Sequence, residues 1–217
     1  MNLRKTAILL TLSNVLPMAS FAHDIVKDIE NITKTEAISS YIAIGFQHIL
    51  PLGFDHILFI ISLVLLNNSK KQLLWQSAAF TIGHCITLAL VSLNFITISP
   101  NIVEPIIAAT IVFTALSVLK KQELNSIKIF IVLLFGLIHG LGFAGALAEI
   151  GLPANQFILS LISFNLGLEL GQITIILISI FLIKLAEMKL HWPLRTISIP
   201  ISIFIMAIGV FWFFERI

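Results

Sequence analysis

Six stretches of the chain are apolar for long enough to cross ~30 Å of hydrocarbon as helices, which takes about 20 residues. They cover 41–66, 73–93, 102–119, 127–147, 157–183 and 196–214. Lipid offers no partner for a backbone amide, so helices are the expected form. The first 22 residues follow a different pattern. Arg4 and Lys5 form a basic start, 7–16 is an apolar run too short to span, and Pro17 precedes Ser20-Phe21-Ala22. Small residues stand at the two positions a signal peptidase reads, which predicts cleavage after Ala22. The expected organisation is an all-α polytopic membrane helix bundle. It comprises a cleaved signal peptide over 1–22, a short extracytoplasmic segment over 23–40, and a six-helix transmembrane domain over 41–217.

The connections give the expected direction. Starting outside, the first, third and fifth are cytoplasmic. They carry Lys70 and Lys71, then Lys120, Lys121 and Lys128, then Lys184, Lys189 and Arg195. The second (94–101) and fourth (148–156) hold no Lys or Arg. That alternation is the positive-inside bias, and it agrees with the direction a signal peptide imposes. Trp75, Trp192 and Trp212 stand near span ends, as interfacial aromatics do. Both termini of the mature chain are therefore expected on the extracytoplasmic side of the membrane.

Composition sharpens the picture. Of 217 residues, 58% are hydrophobic and 11% charged, against roughly 25% charged in a soluble domain. Mean hydropathy is +1.05. The formal charge of +2 comes from loop residues that set orientation, so the partners expected are the lipid bilayer and an ion, with no nucleic acid. The lone Cys85 excludes an intrachain disulfide framework and a four-cysteine zinc site. A homo-oligomer and a monomer both fit.

An ionisable group at bilayer depth costs ~2.5–3.5 kcal/mol on insertion scales, so it usually has a partner or a function. His48, Asp55 and His56 are on the first expected span, His84 on the second, His139 on the fourth and Glu169 on the fifth. Pro51 and Gly53 break the first span, leaving Asp55 at the start of a second half-helix. Discontinuous helices at the midplane are a recurring way to build ion sites. Asn165, Glu169 and Gln172 share one face of the fifth span, and Ser77, Thr81, His84 and Thr87 form a stripe on the second. A single buried histidine is more often hydrogen-bonded between helices than a ligand. Four at membrane depth, with two carboxylates, favour a site for a divalent transition metal, for which imidazole and carboxylate are suitable donors. Asp55, His56, His84 and His139 are the expected ligands, Glu169 a ligand or charge balancer, and His48 the residue that first meets the ion from outside.

Other features carry plainer readings. Cys85 reads as a packing residue. Gly136/Gly140 and Gly167/Gly171 have the spacing of close helix contacts. Glu104 suits the dipole at a helix start, His191 is in a cytoplasmic loop, and His23 begins the mature chain. Phe80-x3-His84 and Phe135-x3-His139 recur on spans that cross in the same direction, a short hint of a parallel repeat.

Four motifs follow one another along the chain: Gly45-Phe-Gln-His48-Ile-Leu-Pro-Leu-Gly53-Phe-Asp55-His56-Ile-Leu-Phe59, Phe80-Thr-Ile-Gly-His84-Cys-Ile-Thr87-Leu, Val103-Glu104-Pro-Ile-Ile-Ala108 and Phe135-Gly-Leu-Ile-His139-Gly140-Leu-Gly-Phe-Ala144. In them the chain resembles the HupE/UreJ family of bacterial membrane proteins. The resemblance implies uptake of nickel or cobalt. Two departures stand out: six residues separate His48 from Asp55 where the family usually has five, and Cys85 replaces a small hydroxyl residue.

The reading is a permease for a divalent transition metal, Ni²⁺ first, with Co²⁺ or Zn²⁺ as alternatives, rather than an enzyme. An intramembrane metal-dependent hydrolase using the same residues, or a metal-binding assembly subunit, are the competing readings. No nucleotide-binding motif points to direct ATP use. The topology is testable by intact-cell labelling. A cysteine at Asn155 is expected to react with an impermeant thiol reagent, and one at Asn68 to be protected. The reverse pattern rules out the six-span orientation.

Overall fold

The structure is a computed structural model and describes residues 32–67, 69–120 and 126–217. The expected signal peptide over 1–22, and 23–31 of the segment after it, lie outside the described residues. Every regular element among the described residues is helical. They are α1 (Lys34–Ile49), α2 (Phe54–Leu66), α3 (Lys70–Ser92), α4 (Pro100–Leu119), α5 (Ser126–Ile150), α6 (Phe157–Leu190) and α7 (Leu194–Glu215), with a single 3₁₀ turn before α6.

Helices α3, α4, α6 and α7 are each long and apolar enough to span a membrane. The pair α1 and α2 passes the same test as one span bent by 70°. Helix α5 is 25 residues long around a shorter apolar stretch, Ile129–Phe143. The chain is thus a multi-pass helical membrane protein. Four helices, or five spans counting the bent pair, meet the criteria for crossing, against the six expected.

Two helix boundaries differ from the sequence reading for local reasons. Helix α1 begins inside the segment read as polar and extracytoplasmic. Thr33 caps it, and Glu36 returns the bond to the Thr33 amide, a reciprocal capping box. At the other extreme α6 runs to Leu190, so Lys184 and Lys189 are helical rather than in a loop. The residues 184–190 are mostly good helix formers. Charge ends the apolar stretch there without ending the helix, which stops at His191 in the left-handed conformation (φ 55°).

Three helix pairs make the bundle: α1 with α6, α3 with α5, and α4 with α7. Glycines set the first two. A Cβ on Gly45 would be driven into the Phe164 carbonyl of α6, and one on Gly167 into the Ile42 carbonyl of α1. Likewise Gly83 abuts the Leu133 carbonyl, and Gly136 and Gly140 abut the Phe80 and His84 carbonyls. In both pairs the partner residues rise together in number, so the helices are parallel. This is small-residue packing, in which van der Waals contact replaces the hydrophobic drive that lipid removes. The α4–α7 pair is antiparallel: Arg195 donates to the Val118 and Leu119 carbonyls, and Arg216 reaches the Glu104 carbonyl.

The ends fall into two sets. At one, the Tyr41 hydroxyl donates to the Gly151 carbonyl (2.7 Å) and Gln156 donates to the Ile32 carbonyl (2.7 Å). Gly142 packs on Ile107 and Val103, bringing the Glu104–Arg216 contact to this same end. The opposite end holds Arg195 on the close of α4, and Asn67 bonded to Gln76 (2.7 Å). Lys70, Lys71 and Lys120 belong to this Arg195 end, as their helices begin or finish there.

Adding a methyl at Gly45 or Gly136 forces backbone apart in a closed interface, and overpacking of this kind costs about 1–3 kcal/mol. Gly45→Ala and Gly136→Ala are expected to lower the unfolding temperature of the purified protein in detergent. Gly145→Ala, where a Cβ meets nothing within 4 Å, is expected to be neutral or stabilising.

Candidate metal centre

The break between α1 and α2 is where the site begins. His48 is in the last turn of α1, and Asp55 and His56 are in the first turn of α2. The Gly53 amide donates to the Ile49 carbonyl (3.1 Å), folding the chain back on itself. A Cβ on Gly53 would collide with the His48 carbonyl oxygen, so glycine permits this close return. The result brings His48 and His56 face to edge, with ring centroids 4.8 Å apart.

Helix α3 delivers His84 to the same place, 5.7 Å from both rings, and α5 delivers His139, 5.0 Å from His56. His84 is 0% exposed, His139 1% and His56 2%. The close α3–α5 contact at Gly83, Gly136 and Gly140 allows two helices to present histidines at one level.

Second partners fix the tautomers. The Asp55 carboxylate lies 2.9 Å from His56 Nδ1 and only accepts, so Nδ1 carries the hydrogen. The Phe135 carbonyl does the same for His139 Nδ1 (2.8 Å). Each Nε2 is left as a bare lone pair, the arrangement by which carboxylates and carbonyls orient metal-binding imidazoles. Nε2 of His48, His56 and His139, and both nitrogens of His84, are buried without a hydrogen-bond partner among the described residues.

Ligand atoms of His48, His56 and His84 lie within 4.8 Å of one another. An ion at the centre of an equilateral triangle with that side would be ~2.8 Å from each corner, against ~2.0–2.1 Å for a metal–imidazole bond. Side-chain shifts of under about 1 Å would close the difference.

Phenylalanines enclose the group. Phe143 packs on His48 (3.8 Å) and stacks on Phe164 (5.2 Å, 11°). On the side toward the Arg195 end, Phe59 and Phe80 pack together (4.9 Å), with Phe80 edge-on to His56 (5.5 Å). A family model described as HupE / UreJ protein matches residues 24–216. The chain belongs to the HupE/UreJ family. This family is associated with nickel and cobalt uptake. Comparison with curated proteins and with solved structures returns no significant match.

Family membership and geometry bear on the same residues, but the roles shift from those the sequence suggested. His48, expected as the residue that first meets the ion from outside, stands beside His56 and His84, because the turn at 50–53 brings the last turn of α1 against the first turn of α2. Asp55 stands behind His56 as its hydrogen-bond partner rather than among the three ligand atoms. His139 flanks the group through His56. Glu169 does not join it: its Oε2 accepts from the Thr81 hydroxyl. The polar stripes on 77–87 and 165–172 meet each other instead, through Ser77 and Thr81, while Thr87 bonds carbonyls of its own helix.

The phenylalanine walls were not anticipated as part of the site. Only Phe80 had a sequence signal, the Phe-x3-His spacing on α3, which places its ring one turn from His84.

Asp55→Asn tests the orienting role. It keeps an acceptor near His56 but removes the charge that strengthens the bond. Affinity for Ni²⁺ is expected to fall about 10–100-fold by calorimetric titration in detergent. Unchanged affinity removes Asp55 from the site.

Proposed function

We propose that the protein carries a divalent transition metal, nickel or cobalt, across the bacterial inner membrane, and that the ion passes through the His48, His56 and His84 imidazoles. The observation that carries this reading is the set of buried imidazole nitrogens that no protein group satisfies. An unpaired buried polar atom costs about 1–3 kcal/mol, and the cost is recovered when the lone pair binds a cation. Imidazole suits nickel and cobalt, which are the ions of the family.

Asp55 supplies negative charge next to the site without occupying it. That lowers the cost of bringing a divalent ion into low dielectric, and it keeps His56 in the metal-binding tautomer. His139, with Nε2 free and its ring 5.0 Å from His56, is placed to replace one ligand as the ion moves. The orientation that fits loop charge puts the Gly151 end outside and the Arg195 end in the cytoplasm.

A three-histidine zinc site with an open position is also the form of a hydrolytic centre. The family association with metal uptake favours carriage. The two readings separate by product: accumulated metal for one, cleaved substrate for the other.

Proteoliposomes carrying the wild-type chain are expected to accumulate Ni²⁺ or Co²⁺ beyond empty vesicles. His84→Ala is expected to cut uptake at least about tenfold at normal membrane expression. His191→Ala, at the solvent-exposed end of α6, is expected to match wild type. Wild-type-like uptake by His84→Ala rules out this site as the route.

A further inference from the structure

Glu169 is held in a second polar network that the histidine site does not use. The Thr81 hydroxyl donates to Glu169 Oε2, and Gln172 Nε2 donates to Thr81 Oγ1 (3.1 Å). Ser77 in turn donates to Gln172 Oε1 (2.6 Å). The hydroxyl and amide donors of this chain thus run toward the carboxylate. Among the described residues no Lys or Arg pairs with it. A carboxylate at membrane depth without a cation is costly.

Its place relative to the histidines is set by the helices. Thr81 is three residues from His84 on α3, a step of about 4.5 Å along the axis, and the step leads toward the Arg195 end. Ser77 continues the same way. Helix α6 runs opposite to α3, so Asn165, Glu169 and Gln172 descend in the same direction. Asn165 is 9% exposed; its Nδ2 donates to the Leu161 carbonyl (2.8 Å), and its Oδ1 has no partner among the described residues. It stands one turn of α6 before Glu169, on the face that Glu169 and Gln172 share, at the level where Phe164 stacks on His84. Below Gln172 the path reaches the Asn67–Gln76 bond, where Asn67 Oδ1 and Gln76 Nε2 are likewise unpartnered.

We infer that Glu169 and Thr81 form a second station for the divalent cation, one turn nearer the cytoplasmic end than the histidines, with the Asn165 amide oxygen on the histidine side of it. The inference rests on the transport reading. Its donors are oxygens, which hold a late first-row metal less tightly than imidazoles do. A weak site beside a tight one gives an ion somewhere to go. Conduction needs binding strong enough to enter and loose or multiple enough to leave.

The test uses the full chain in detergent and in vesicles, with Ni²⁺ and Mn²⁺ as probes. Wild type is expected to bind one tight Ni²⁺ and a second, weaker equivalent also seen with Mn²⁺. Glu169→Gln is expected to keep the tight Ni²⁺, lose the weak equivalent and turn over at least about tenfold more slowly, with little change in half-saturation. His84→Ala is expected to lose the tight equivalent and keep the Mn²⁺ one. The station is overturned if wild type binds a single equivalent, if Glu169→Gln transports at the wild-type rate, or if Glu169→Gln loses tight Ni²⁺. Should Glu169→Gln not reach the membrane, Thr81→Val carries the test: weak binding about tenfold poorer supports the station, and unchanged binding overturns it. A wild type that moves no metal but shows a Glu169-dependent Mn²⁺ equivalent refutes the transport reading and leaves the cation station in place.

Discussion

A buried imidazole nitrogen without a hydrogen-bond partner destabilises a protein by about 1–3 kcal/mol, and here four histidines hold five such atoms in one place. The surroundings maintain this arrangement rather than relieve it. Asp55 and the Phe135 carbonyl each satisfy one nitrogen and so keep the other bare. Phenylalanines pack around the rings and offer no polar atoms. The glycine contacts on α1, α3, α5 and α6 hold the helices close enough for the rings to meet. Any larger residue at Gly45, Gly83 or Gly136 would separate the backbones that present His48, His84 and His139. The helix packing and the candidate metal centre therefore rest on the same few positions.

Much of this was legible in the sequence, and the rest was hidden for definable reasons. Apolar length marked the helices, and histidines at membrane depth marked the site, because both signals are one-dimensional. Pro51 and Gly53 showed a break in the first span but not its angle. The 70° bend turns His48 inward, and such a turn depends on what the second half-helix packs against. Sequence spacing put Glu169 on a polar face without saying which polar face it meets. The pairing of Thr81 with Glu169 is tertiary. Thr33-x-x-Glu36 was a readable helix start, outweighed in the sequence by the polar character around it. The end of α6 was misjudged because hydropathy reports the membrane boundary, whereas helix propensity reports the helix.

The donor types form a gradient along the bundle axis. Nitrogen donors gather at the broken helix, between the phenylalanine pairs. Toward the Arg195 end the polar groups become oxygen-rich: Glu169 and Thr81, then Gln172 and Ser77, then Asn67 and Gln76. Each is a weaker ligand for a late first-row metal than the cluster above it. Phe59, Phe80 and Leu63 line the space beside Ser77 and Gln172, so apolar and polar groups alternate there. Under the proposed transport, an ion moving toward the Arg195 end would exchange imidazoles for these oxygens.

The central claim is that His48, His56 and His84 bind one metal ion together. X-ray absorption spectroscopy of the purified, nickel-loaded chain tests it most directly. The account predicts imidazole scattering from three histidines around the nickel, reduced to two when His84 is replaced by alanine. Coordination by oxygen alone, unchanged by that replacement, would contradict it.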